Sequence, residues 1–212
     1  MFIVDEQPYG KADYERFVNR LTEDPIWGKA ERWRIAFCPE NIGEWIMLVY
    51  YLKEKQGSIV PIHPSMPFEG AKRVAQEAGC TYLYYQSTGL PVVLNEVESK
   101  HERGIVQFSS GTTGLPKQLL RSWASIEQEL NAYREAWTDH VHDTVIVACP
   151  VTHSYGLISG VLAGLEQGKK RCDCHDTKSK ICVSTNANIP KPCPVRRAAV
   201  ASYACEVNQA KA

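Results

Sequence analysis

Residues 108–117 read Phe-Ser-Ser-Gly-Thr-Thr-Gly-Leu-Pro-Lys, and no other run in the 212-residue chain gathers so many groups suited to one chemistry. Ser109, Ser110, Thr112 and Thr113 bring hydroxyl donors. Gly111 and Gly114 let backbone N–H groups turn inward with no Cβ in the way. Lys117 ends the run with a compact positive charge, and no acidic residue offsets it. A bend lined by amides, hydroxyls and an ammonium group suits the oxygens of a polyphosphate. It is not the Walker loop, which spaces Gly, four residues and then Gly-Lys-Ser/Thr. Here Lys117 follows Pro116, and neither Ser nor Thr comes next to meet a magnesium ion. Taken alone, the same composition also suits a plain surface turn.

Such a loop needs rigid elements on both sides. Upstream, residues 34–37 read as a short strand, and residues 39–45 open a helix. Ile42, Trp45, Ile46, Val49 and Leu52 recur there at three- and four-residue spacing, the pattern of one buried face. Gly57 lies just past the last periodic residue, where helices end. Residues 58–62 read as a second strand, residues 67–79 as a helix with Phe68, Ala71, Val74, Ala75 and Ala78 inward, and residues 82–85 as a third strand. This alternation predicts an α/β fold with parallel strands and right-handed crossovers. Downstream, Trp123, Ile126, Leu130, Tyr133 and Trp137 mark a helix packed on a core, and residues 143–149 a buried strand. Residues 155–165 form an apolar helical stretch in which Gly156, Gly160 and Gly164 suit close approach to a sheet. That stretch is too short to span a bilayer.

Residues 109–117 match every fixed position of the pattern Ser/Thr-Ser-Gly-Thr-Thr-Gly-x-Pro-Lys. Further on, residues 150–156 read Pro-Val-Thr-His-Ser-Tyr-Gly and match Pro-x-x-His-x-x-Gly. In these two ordered runs the chain resembles the adenylate-forming (AMP-binding) superfamily of acyl-CoA synthetases, firefly luciferase and peptide-synthetase adenylation domains. The resemblance implies an incomplete N-terminal large domain of that α/β fold, in parallel-sheet layers. It implies that Ser109, Ser110, Thr112, Thr113 and Lys117 contact phosphate and that Gly111 and Gly114 permit the bend. His153 would line the acyl-carboxylate side, with Tyr155 and Gly156 near it; no resident metal site is assigned. The intact family member would use ATP, with Mg2+ and coenzyme A, to activate a carboxylic acid and pass it to a thiol. A glycine usually follows the lysine; Gln118 stands there instead, so the exit of the loop is expected to differ.

The resemblance covers roughly residues 11–170. The family's later Tyr/Trp-Gly-x-Thr-Glu and Tyr-x-Thr-Gly-Asp segments, and the small C-terminal domain with its catalytic lysine, have no counterpart in the sequence. The expectation is therefore a partial AMP-binding domain over residues 1–170, inactive as a ligase by itself. The alternative is a non-catalytic nucleotide- or partner-binding half-domain. His63, His101, His140 and His142 receive no role, and Cys38, Cys80 and Cys149 read as small buried apolar residues.

Formal charge is zero, from 24 basic and 24 acidic residues, which gives no pull toward nucleic acid or an anionic membrane. The opening residues lack the basic segment and apolar run of a signal peptide, so a cytoplasmic location is the default expectation. Residues 171–212 differ from the rest: they hold five of the eight cysteines yet no Leu, Gly, Phe, Met or Trp. Such a composition predicts disorder. Cys172, Cys174, His175 and Cys182 lack the paired Cys-x-x-Cys spacing of a strong zinc site, and disulfides would need an oxidising compartment. A third reading is translation out of frame. Shifted by one base with permitted codons, residues 171–182 spell Gly-Val-Ile-Val-Met-Thr-Gln-Asn-Pro-Lys-Tyr, which regains strand-like patterning.

Overall fold

The computed structural model describes residues 2–95, 102–109, 117–136, 145–166, 181–183 and 199–200. In chain order, β1 (Phe2–Val4) and β2 (Gln7–Tyr9) form a hairpin before helix α1 (Lys11–Glu23). A 3-10 helix (Trp27–Arg32) leads into β3 (Arg34–Pro39), α2 (Ile42–Lys55), β4 (Ser58–Pro61), α3 (Phe68–Glu77) and β5 (Tyr82–Gln86). β6 (Val92–Val93), β7 (Gly104–Ser109), β8 (Lys117–Ser122) and α4 (Trp123–Ala136) follow. Last come β9 (Val145–Val147), a π-helix (Tyr155–Leu162), α5 (Ala163–Glu166), β10 (Ile181–Val183) and β11 (Ala199–Val200). The chain divides into two compact units, Glu15–Ile126 and Met1–Tyr14 with Glu127–Ala212.

The Glu15–Ile126 unit is built on a six-stranded sheet in the order β6-β5-β3-β4-β7-β8. β3 runs parallel to both β4 and β5, as the strand–helix alternation predicts, and β4 also runs parallel to β7. Ile35, Ala36, Phe37 and Cys38 of β3 are all buried, the near-continuous apolar run of a strand covered on both faces. α2 is buried more widely than its predicted stripe, for Met47, Leu48 and Tyr51 are enclosed along with Trp45, Ile46, Val49 and Leu52. A helix apolar on most sides must find cover on most sides. Trp27 supplies part of it, stacking obliquely 4.5 Å from Tyr84 while accepting a bond from the Tyr51 hydroxyl at its carbonyl, 2.9 Å away.

Two expectations change here. The left-handed residue that ends α2 is Gln56 (φ 55°), not Gly57. Gly57 is needed for space: a Cβ there would come within 2.7 Å of the Leu52 side chain. Phe68, expected inward, is 37% exposed: it opens the first turn of α3 and packs edge to face with Tyr85, ring centres 5.3 Å apart. Ala71, Ala75 and Ala78 do face the core.

The other unit carries a five-stranded sheet in the order β11-β9-β10-β1-β2. β10 lies antiparallel between β1 and β9, and β11 runs parallel to β9. Two short runs of the cysteine-rich stretch are thus strands of this sheet; Cys172, Cys174, His175, Cys193, Cys205 and Trp137 lie outside the described residues. The apolar stretch after β9 is helical as expected, but its first eight residues adopt the wider π form. Gly160 bears out the close approach, since a Cβ there would meet both Val147 methyl groups at 2.9 Å. No helix among the described residues is long and apolar enough to cross a membrane.

Candidate functional site

β7 and β8 form an antiparallel hairpin, and residues 110–116 connect them. The register runs from Gly104 opposite Ser122 to Ser109 opposite Lys117. The two outer members of the predicted phosphate loop are therefore cross-strand partners, Cβ atoms of such pairs lying about 5 Å apart. Ser110, Gly111, Thr112, Thr113 and Gly114 lie outside the described residues. What the fold supplies is the base from which they spring.

That base is fixed from the far end. Gly104 has φ 149° and its missing side chain faces the Arg121 carbonyl oxygen so closely that no Cβ would fit. Its N–H bonds the Gly57 carbonyl oxygen at 3.1 Å, and the Trp123 indole N–H donates to that same oxygen at 2.8 Å. Ile105 and Val106 are buried, and Ser58 and Ile59 of β4 pair with Gly104 and Ile105. Toward the loop, burial fades: Lys117, Gln118 and Leu119 are all exposed. Gln118 has a tie of its own, for its side-chain amide donates to the Glu77 carbonyl oxygen at 2.8 Å.

In the other unit, residues 150–156 form the turn that enters the π-helix. The His153 N–H bonds the Pro150 carbonyl oxygen at 3.1 Å, and the His153 carbonyl oxygen accepts the Leu157 N–H at 3.0 Å. These bonds wind the chain tightly and leave the His153 side chain exposed at the turn. Gly156 is buried, and a Cβ there would fall 2.5 Å from the Pro150 carbonyl oxygen. Glycine is demanded by that crowding, while Tyr155 is half-buried one residue earlier. Cys149, expected to be enclosed, is only half-buried because it stands in the open approach to this turn. Cys38 and Cys80 are buried, and burial pushes their thiols up to about 11 and about 12. Neither is poised as a nucleophile, which must be a thiolate near neutral pH.

The Ser109–Lys117 pairing was not read from the sequence, since neither Ile-Val-Gln-Phe nor Gln-Leu-Leu-Arg alternates apolar with polar residues. The Gln118–Glu77 bond was not either, because it joins residues 41 positions apart.

No family model matches the sequence. Among curated proteins it is 35% identical over 171 residues to the 3,4-dihydroxybenzoate–[aryl-carrier protein] ligase of Bacillus anthracis, covering 80% of this chain and 42% of that protein. It is 35% identical over 77 residues to the 4-coumarate–CoA ligase of Halorhodospira halophila, covering 36% of this chain and 19% of that one. The chain thus spans well under half the length of these relatives. Among solved structures it superposes on o-succinylbenzoate coenzyme A synthetase from Bacillus subtilis in complex with AMP with a TM-score of 0.57 at 16% identity, over 74% of this chain and 47% of that one. ATP-bound MatB from Rhodopseudomonas palustris gives a TM-score of 0.51 at 14% identity, over 69% of this chain and 36% of that one. With the loop pattern, the parallel sheet and these relatives in agreement, the chain belongs to the adenylate-forming superfamily.

Proposed function

We propose that this chain carries the phosphate-gripping part of an ATP-dependent acid–thiol ligase. In the intact enzyme a carboxylate oxygen would attack the α-phosphorus of ATP, pyrophosphate leaving; a thiol sulfur would then attack the acyl carbon, AMP leaving. Both steps depend on neutralising phosphate charge and aiming the attacking atom. The observation that carries the reading is the hairpin. It holds Ser109 opposite Lys117 at the two ends of a Ser/Thr/Gly run. A hydroxyl and an ammonium group on one base suit a triphosphate with its Mg2+. His153, Tyr155 and Gly156 are assigned to the carboxylate side on the motif they complete.

The dihydroxybenzoate ligase, matched over 80% of this chain, favours an aryl acid as the substrate class and a carrier-protein thiol as acceptor. Coenzyme A is the competing thiol, as in the coumarate ligase. The first match is 171 residues long and takes in 80% of the chain, which is compatible with a body of 170 residues. We accordingly assign residues 1–170 to the ligase domain and infer that residues 171–212 are read out of frame. Sequencing the gene just after the Lys170 codon decides this, since a frame that no one-base change reopens would end the idea.

Isothermal titration of the 212-residue chain with MgATP tests the central reading. Binding is expected, and Lys117→Ala weakens it about tenfold or more, the worth of one charge-assisted bond. Equal binding by the two proteins would refute it. ATP–pyrophosphate exchange with 3,4-dihydroxybenzoate and 4-coumarate is expected to be absent in this chain; steady turnover would overturn its inactivity. A hybrid in which residues 1–170 replace the matching part of the Bacillus anthracis relative tests the acid, and then the thiol. The alternative, a nucleotide- or partner-binding half-domain, draws on the separate core of the Glu15–Ile126 unit. It predicts one cooperative thermal transition and MgATP binding with no exchange in the hybrid.

A further inference from the structure

We propose that Gln118 is a positioning residue: its side-chain amide pins the start of β8 to the C-terminal end of α3 and thereby sets where Lys117 stands at the base of the phosphate loop. This rests on the reading of Lys117 as a phosphate ligand.

At the end of α3 the last carbonyl groups have no partner within the helix. The Ala78, Gly79 and Cys80 N–H groups turn back onto Val74, Gln76 and Ala75. Thr81, whose N–H a longer helix would aim at the Glu77 carbonyl, bonds the Arg34 carbonyl oxygen instead at 2.8 Å. Two side chains from the sheet take over: Arg34 donates to the Ala78 carbonyl oxygen at 2.9 Å, and Gln118 to the Glu77 carbonyl oxygen at 2.8 Å. Both belong to one helix end, but only Gln118 belongs to the hairpin.

Strand alternation gives the contact its consequence. Gln118 pairs with Phe108, which packs with Leu120 against the cluster holding Ala71 and Ala75 of α3. Gln118 therefore lies on the α3 face of the hairpin, and Lys117, one residue earlier, on the opposite face. Fixing one side chain against α3 fixes the backbone from which the other projects. Burial does not do this, since Lys117, Gln118 and Leu119 are all exposed and β8 is the edge of its sheet. A lysine on a four-carbon stem gains most from such anchoring, because its own side chain is flexible. A glycine in place of Gln118 has no amide to offer.

The test compares the wild-type chain with Gln118→Met and Arg34→Met. Both variants lose a cap from the same helix end and are expected to unfold at lower temperature. Only Gln118→Met is expected to bind MgATP about fivefold more weakly, the worth of a typical hydrogen bond. Only Gln118→Met is expected to speed hydrogen exchange at the backbone amides of Lys117–Ser122. Unchanged affinity and exchange in Gln118→Met would overturn the proposal, as would an equal loss of affinity in Arg34→Met. If the wild-type and Lys117→Ala chains bind MgATP alike, the nucleotide reading has failed, and hydrogen exchange alone then judges the anchor. Should Gln118→Met not fold, Gln118→Asn keeps the amide one carbon short of Glu77 and is expected to behave in the same way.

Discussion

Cys38 and Cys80 line the same core cluster, and their chemistry is set by enclosure. Burial lifts both thiols from an ordinary value of 9.0, to about 11 for Cys38 and about 12 for Cys80, with Arg34 drawing Cys80 back slightly. The folded chain therefore holds these protons more tightly than the unfolded chain does. Their contribution to stability is complete below pH 9 and drains away as pH rises through 11 to 12. Urea denaturation at pH 8 and pH 10.5 is expected to give a lower midpoint at the higher pH, and Cys38→Ala with Cys80→Ala to flatten the difference. A thiol reagent at pH 8 is expected to modify half-buried Cys149 well before either of them. At this scale the sequence was partly legible. Apolar neighbours foretold the two enclosed cysteines, but exposure at a turn entry, as for Cys149, depends on tertiary packing.

Helix α2 starts from chemistry visible in the sequence and stops for reasons that are not. Asn41 accepts the Glu44 N–H at 3.0 Å, an N-cap worth about 1 kcal/mol. At the other end Gln56 takes the left-handed conformation and Gly57 the crowded site against Leu52. Gln56→Gly is expected to raise stability by about 0.5–1 kcal/mol, as a left-handed side chain is strained. Gly57→Ala is expected to lower it by about 1–3 kcal/mol through overpacking. Thermal unfolding of the two variants checks both signs, and the reverse order would refute this account of the helix end. The periodicity of three and four gave the position of α2, α3 and α4, because core burial follows that spacing. The antiparallel edges β6 and β8 went unread, because a short strand against an existing sheet leaves little pattern of its own.

Over the whole molecule, the parallel pairing of β3 with β4 and β5 was legible from alternation, and the signature run told the family, while the place of β7 beside β4 came only with the structure. The sheet edges carry a cost: Val93 on β6 is 56% exposed and Leu119 on β8 is 52% exposed. Apolar side chains beside unpaired strand edges invite pairing between molecules. Val93→Lys, far from the loop in sequence, is expected to reduce concentration-dependent light scattering; no change would clear that edge of blame. The cross-strand match of Ser109 with Lys117 has a further consequence for how such chains are altered. It makes residues 110–116 a cassette with fixed joints. A one-residue insertion between them alters only the cassette, while the same insertion within β8 turns every later side chain over. Exchanges of this segment for the matching run of a relative should therefore be cut at 109 and 117, where the pairing register of this hairpin is set.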